Sequence, residues 1–157
     1  METGVNQLGF ISSYSPIGDD EHSHYYAAPE YYGMLAFTQA APGRILGCTL
    51  GPSDRNITAF ATLPDDNHLV LTVINKEASR DVAILVDQNL RSKFRSASIM
   101  RLLGPSLDSK SGITLGGSEV SEDGSWKATR VEALPSTALQ GGLPLPRASA
   151  AIVHLHR

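Results

Sequence analysis

The residues of this chain that could do chemistry are its acids, its histidines, one cysteine and one tryptophan. Hydrolysis of a glycosidic bond needs two carboxyl groups about 5–9.5 Å apart across a sugar. The acids Asp19, Asp20, Glu21, Asp65, Asp66, Asp108, Glu122 and Asp123 fall mostly in turn-rich stretches, the ordinary place for a solvated carboxylate. Glu30 opens a helical pattern, where the positive end of the helix dipole accounts for it. No pair is arranged for acid–base work, so no catalytic residue is assigned.

His22 and His24 in "HSH", and His154 and His156 in "HLH", are i, i+2 pairs. On a strand such a pair shares one face and could ligate a metal. The first pair lies in a loop with few partners. The second closes the last strand, directed at solvent or a groove. Both read as structural or solvated, and His68 as the opening residue of a strand. No metal and no other cofactor is expected. Cys48 is the only cysteine, which excludes an internal disulfide and argues against a thiolate zinc site. Between the apolar neighbours of "RILGCTLG" it is expected to be a buried thiol. "GGSEVSEDG" lacks the strand-to-helix setting of a phosphate loop. Trp126, flanked by "DGS" and "KAT", is expected to plug a sandwich end rather than to stack on a sugar.

The elements that must position these groups are mainly β. "GVNQLGFI" (4–11) reads as a strand and 12–24 as a loop. Four of the five tyrosines fall at positions 25, 26, 31 and 32. Pro29 and Glu30 then open a helix, which "APG" (41–43) stops. Tyr31, Met34, Leu35 and Thr38 share one side of it; Tyr32, Leu35 and Ala36 share most of that side. Strands are expected over 44–51, 56–64, 68–75, 81–87 and 96–104. "PDDN" (64–67) should close a hairpin. "HLVLTVIN" has no room for a solvated face, so it should be a central strand buried on both sides. The span 104–147 offers only short strands near 113–115, 126–129 and 133–134. "RASAAIVHLHR" (147–157) ends the chain as a strand. This spacing predicts an antiparallel β-sandwich with one N-terminal helix.

Composition is that of a globular chain: 157 residues, 41% hydrophobic and 18% charged. The net charge of −3 comes with interspersed signs and no basic stripe, which argues against nucleic acid. No apolar run approaches the roughly 20 residues that cross a bilayer, so no membrane partner is expected. "METGVNQLGF" lacks the basic and apolar regions of a secretory signal. "NIT" (56–58) matches a glycosylation acceptor but falls in an expected strand.

Taken in order, "GVN" (4–6), "YSPI" (14–17), "PEYYGMLAF" (29–37), "LTVINK" (71–76), "RLLGPSL" (101–107), "GITLGG" (112–117), "DGSW" (123–126) and "ASAAIVHL" (148–155) resemble the C-terminal part of glycoside hydrolase family 79. That family comprises β-glucuronidases and heparanase-like enzymes. The resemblance implies that residues 1–43 are the last strand, loop and helix of a (β/α)8 barrel, and 44–157 a C-terminal sandwich. It implies that the family's two catalytic glutamates lie on barrel strands outside this chain. The chain is then expected to be inactive alone, with the barrel, in cis or as a separate chain, as its partner. Glucuronide-containing glycans would be met through the parent enzyme, itself expected to be secreted or periplasmic. Tyr14, with Ser12 and Ser13 before it, falls where relatives contact the uronic-acid carboxylate. Ser12 stands where heparanase-like members have glycine. Two other readings remain open: a free-standing carbohydrate-binding module, and a module binding another protein by a sheet edge.

Overall fold

Alternation of apolar residues on both faces of one strand decides the architecture. The computed structural model describes residues 15–19 and 24–157. In chain order the strands are β1 (Ile17–Asp19), β2 (Tyr25–Ala27), β3 (Arg44–Leu46), β4 (Ile57–Asp65), β5 (His68–Asn75), β6 (Val82–Ile84), β7 (Ser96–Leu103), β8 (Thr114–Leu115), β9 (Glu132–Pro135), β10 (Leu143–Leu145) and β11 (Ser149–His156). The helices are α1 (Pro29–Ala40), the single turn α2 (Gln88–Arg91) and a 3-10 segment, Ser136–Gly141. The expected strand 4–11 lies outside the described residues.

The principal sheet has seven antiparallel strands. Its order is β3-β4-β5-β11-β7, with β8 and β9 sharing the outer edge of β7. On β5, the consecutive residues Leu69 and Val70 are both buried, in different apolar clusters. The first cluster fills the space between this sheet and the small β6–β10 sheet, which contributes Leu143 and Leu145, with Leu139 of the 3-10 segment and Phe94. The second lies on the opposite face, under α1, and joins Tyr32 and Ala40 to Val70, Leu115 and Ile152. The fold is therefore a mainly β, antiparallel sandwich of unequal sheets with one helix of length.

The hairpin β4–β5 forms as expected. Its register breaks between Thr62 and Asp65, around Pro64, which has no N–H to give the ladder. Pro29 begins α1 and the Ala41 N–H closes it on the Phe37 carbonyl. The Thr62 hydroxyl donates to the Ala40 carbonyl at 2.7 Å, tying the helix end to β4. The buried side of α1 is Tyr32, Leu35, Ala36 and Ala40, whereas Met34 and Thr38 are exposed.

Several expectations are corrected. The strand expected over 44–51 stops at Leu46, where pairing to β4 ends at Ala61. Cys48 consequently lies on an unpaired, exposed segment and is not a buried thiol. Its neighbours still desolvate the thiol enough to raise its pKa. The strand expected over 81–87 is limited to Val82–Ile84, because Asp87 turns the chain by capping α2, accepting from the Asn89 and Leu90 N–H groups. Residues 126–129 form no strand; the Thr129 and Arg130 N–H groups both bond the Gly116 carbonyl instead. The loop expected over 12–24 contains β1, which pairs with β2 as a small hairpin.

Asn75, only 1% exposed, holds the two layers together. Its amide nitrogen reaches the carbonyls of Arg80, Leu145 and Pro146 at 2.9–3.2 Å, and its amide oxygen accepts from the Glu77 N–H at 3.0 Å. An Asn75→Leu substitution strands these buried groups. It is expected to cost about 2–3 kcal/mol, measured by urea unfolding; a loss under about 0.5 kcal/mol would refute this role for the side chain.

Candidate functional site

The residues expected to touch a uronic acid, Ser12, Ser13 and Tyr14, lie outside the described residues. The nearest described neighbour, Ser15, is buried and its hydroxyl donates to the Ile17 carbonyl. From there the chain forms the β1–β2 hairpin, which delivers Tyr25 and Tyr26 to the surface in front of α1. The Tyr26 ring lies directly over Gly18: a Cβ there would sit 2.1 Å from the ring. Only glycine leaves that space.

Two clefts flank this hairpin. One, of about 350 Å³, is lined by Tyr26, Tyr32, Lys110, Ile113, Glu119 and Val120, among others. The other, of about 200 Å³, runs past Tyr25, Tyr26 and Tyr31 to Glu122, Asp123 and Gly124. Tyr32 forms the floor between helix and loop. Its ring is buried, and its hydroxyl accepts the Val120 N–H at 3.0 Å. Tyr25 and Tyr26 are 56% and 50% exposed. The sequence signalled them only as a crowd of tyrosines, because the loop that completes the clefts lies some ninety residues away.

Many carboxylates are occupied in holding turns. Asp65 accepts from the Asn67 N–H, Asp87 caps α2, and Asp81 accepts from the Arg147 N–H. The Ser106 hydroxyl lowers the Asp108 pKa, and hydrogen bonding from Ser125 lowers that of Asp123. Glu132 pairs with Arg101 at 3.0 Å, while Arg101 also donates to the Pro144 carbonyl. In each of these contacts the carboxylate is the acceptor, holding a turn, a cap or an ion pair.

Trp126 packs into the cluster under α1 and its indole N–H donates to the Leu115 carbonyl at 3.1 Å. It packs, as expected, but beneath α1 and not at the end of the space between the two sheets. His68 does more than open β5: its Nε2 lies 2.9 Å from Nδ1 of His154. His156 stacks on His68 with ring centroids 4.5 Å apart. His154 is half-buried and His156 exposed, as a solvent-facing pair should be, but both also meet a third imidazole. Among the described residues no group of three or more histidine, cysteine or acidic side chains is arranged to hold a metal ion.

No family model matches the chain, and no curated protein matches it. Among solved structures it is similar to an α-L-arabinofuranosidase from Thermotoga maritima, determined as an arabinose complex. The TM-score is 0.64 at 11% identity, over 91% of this chain and 32% of that one. The chain thus spans about a third of the length of that glycoside hydrolase, and what the two share is the fold.

Replacing Tyr32 by phenylalanine keeps the packing and removes the acceptor for Val120. The expected cost is about 1 kcal/mol in thermal or denaturant unfolding, with Trp126 fluorescence unchanged in the folded state. A neutral substitution would show that the Val120 N–H finds water in the cleft instead.

Proposed function

We propose that the chain is the non-catalytic C-terminal region of a family 79-like glycoside hydrolase. Residues 1–43 complete the catalytic barrel, and 44–157 form the sandwich that supports it. Ser12, Ser13 and Tyr14 supply one loop of the uronic-acid pocket, and the catalytic glutamates belong to the partner barrel. Support for the hydrolase part comes from the fold shared with about a third of an arabinofuranosidase. Support for family 79 comes from the ordered series of sequence stretches quoted above.

The observation that carries the reading is the outer side of α1. Met34 and Phe37 are 55% and 69% exposed. They stand three residues apart, so they are neighbours on the helix surface, while its other side is buried in the sheet. On the same face of the sheet, Ile45 and Phe60 are 80% and 53% exposed. Four large apolar side chains exposed on one face of the sheet and its helix support a reading in which that face is covered. A barrel wall is the cover that this reading supplies.

A second reading, an independent carbohydrate-binding module, is favoured by one observation. The exposed rings of Tyr25 and Tyr26 border clefts with polar groups, whereas Trp126 is committed to packing. Titration with glucuronides and neutral glycans, followed by tyrosine and tryptophan emission and by calorimetry, separates the two.

The purified chain is expected to release no chromophore from a 4-nitrophenyl β-D-glucuronide. Turnover that co-purifies with the chain would overturn the proposal. The chain alone is also expected to self-associate. Met34→Lys with Phe37→Lys should restore a monodisperse peak on a sizing column with stability changed by less than about 0.5 kcal/mol, as for surface positions. An unchanged elution profile would mean that this face is not adhesive.

A further inference from the structure

The three imidazoles of His68, His154 and His156 have no part in the function proposed above. Residues 68 and 156 are directly opposite in the β5–β11 ladder, and 154 lies opposite Val70, two residues away. All three have even numbers, the parity that places Val70 and Ile152 on the side of the sheet that α1 covers. The rings are stacked: centroids are 5.1 Å apart for His68 and His154, and 4.5 Å for His68 and His156. The 2.9 Å contact between His68 Nε2 and His154 Nδ1 is a hydrogen bond between two ring nitrogens. One nitrogen must donate and the other must accept, so at least one ring of the pair is neutral. Were both protonated, two N–H donors and two positive charges would face each other.

The geometry points to a proton-operated clasp, which we propose fastens the start of β5 to the end of β11 and opens when the pair takes up its second proton. Other charges do little to relieve that second proton. Asp65, the last residue of β4 and opposite His68 in the ladder, favours protonation of His68, but burial and His156 outweigh it, and His68 is held below its ordinary pKa. Burial, then His68 and His156, also lower the His154 pKa. On β7 the opposite residues are Ser96 and Ser98, which are uncharged. Arg95 meets His156 through its main-chain N–H, and the Arg157 guanidinium lies over Phe94, part of the other cluster. The groups of α1 packed on this face, Tyr32, Leu35, Ala36 and Ala40, carry no charge near neutrality.

The sign follows from linkage. With folded pKa values below the ordinary 6.5 of histidine, the unfolded chain binds protons more readily. The clasp's contribution is complete above about pH 6.5, the unfolded value, and is lost as pH falls below it, through the folded values. Opening releases the last residues of β11. Two residues back on the same face is Ile152, part of the cluster that seats α1. Acid therefore loosens the edge of the helix seat before it reaches Asn75, at the opposite end of β5.

The test is an NMR titration of the imidazole Cε1–H signals of the full chain from pH 8 to 5, with amide protection factors and melting temperature. Two imidazoles titrating below 6.5, protection lost first at 154–156 while 70–73 stay protected, and a falling melting temperature would support the clasp. His154→Gln should flatten the melting-temperature dependence across that range. Three independent titrations near 6.5, or a His154→Gln slope equal to that of the parent chain, would overturn it. Should the variant not fold, the titration of the parent chain decides the matter by itself.

Discussion

The structure depends on one placement: the last strand of the chain lies in the middle of its sheet. β11 pairs in continuous register with β5 on one side and β7 on the other, eight residues on each. Ser149 to Val153 are all buried, and the strand reaches solvent only at its histidine end. Every interaction that positions its start is correspondingly tight. Ala148 adopts a positive φ of 51°, an uncommon conformation for a residue with a Cβ. It is held there by its N–H bond to the Glu77 carbonyl at 3.1 Å. Beside it the Ser149 hydroxyl and the Asn75 amide converge on the Pro146 carbonyl. Both of its pairings, to β5 and to β7, span large separations in sequence, the kind of contact that slows folding.

Much of this was legible from periodicity. The continuous apolar run of 68–75 announced a strand covered on both faces, and "PDDN" announced its hairpin. The proline-opened helix and the terminal strand were equally plain. Other features lay below the reach of pattern. β1 and β2 have three residues each, too few for alternation to show. The turn α2 is marked only by its Asp87 cap. "RILGCTLG" promised a strand with a buried thiol, but the pairing partner departs after Leu46, so Cys48 is left outside. Hydropathy reports what a residue tolerates, and pairing decides where it goes.

The chemically suggestive residues divide in the same way. The carboxylates read as solvated turn charges are exposed as expected, at 65, 66, 108, 122 and 123, and some of them also accept hydrogen bonds within their turns. The histidines were read as two local pairs because His68 is 86 residues from His154. Only the β5–β11 register brings these rings together. The tyrosines at 25 and 26 likewise gain clefts only when the loop through Lys110 and Glu119 folds against the hairpin.

The two faces of the principal sheet are treated unequally, and that asymmetry is the strongest physical statement about function. One face is closed by the chain itself: β6, β10 and the 3-10 segment lay Leu139, Leu143 and Leu145 over Val73, Ile99 and Leu155. The opposite face receives one helix, over Val70, Leu115 and Ile152. Beyond that helix Ile45 and Phe60 remain uncovered, and the helix turns Met34 and Phe37 outward. A second apolar layer costs about 25 cal/mol for each Å² left in water. The helix satisfies the sheet with Tyr32 and Ala40 and carries Phe37 exposed on its other side, which in the proposed reading awaits a second neighbour. A barrel wall, the other neighbour in the proposed reading, would give Met34 and Phe37 the burial that this chain leaves undone.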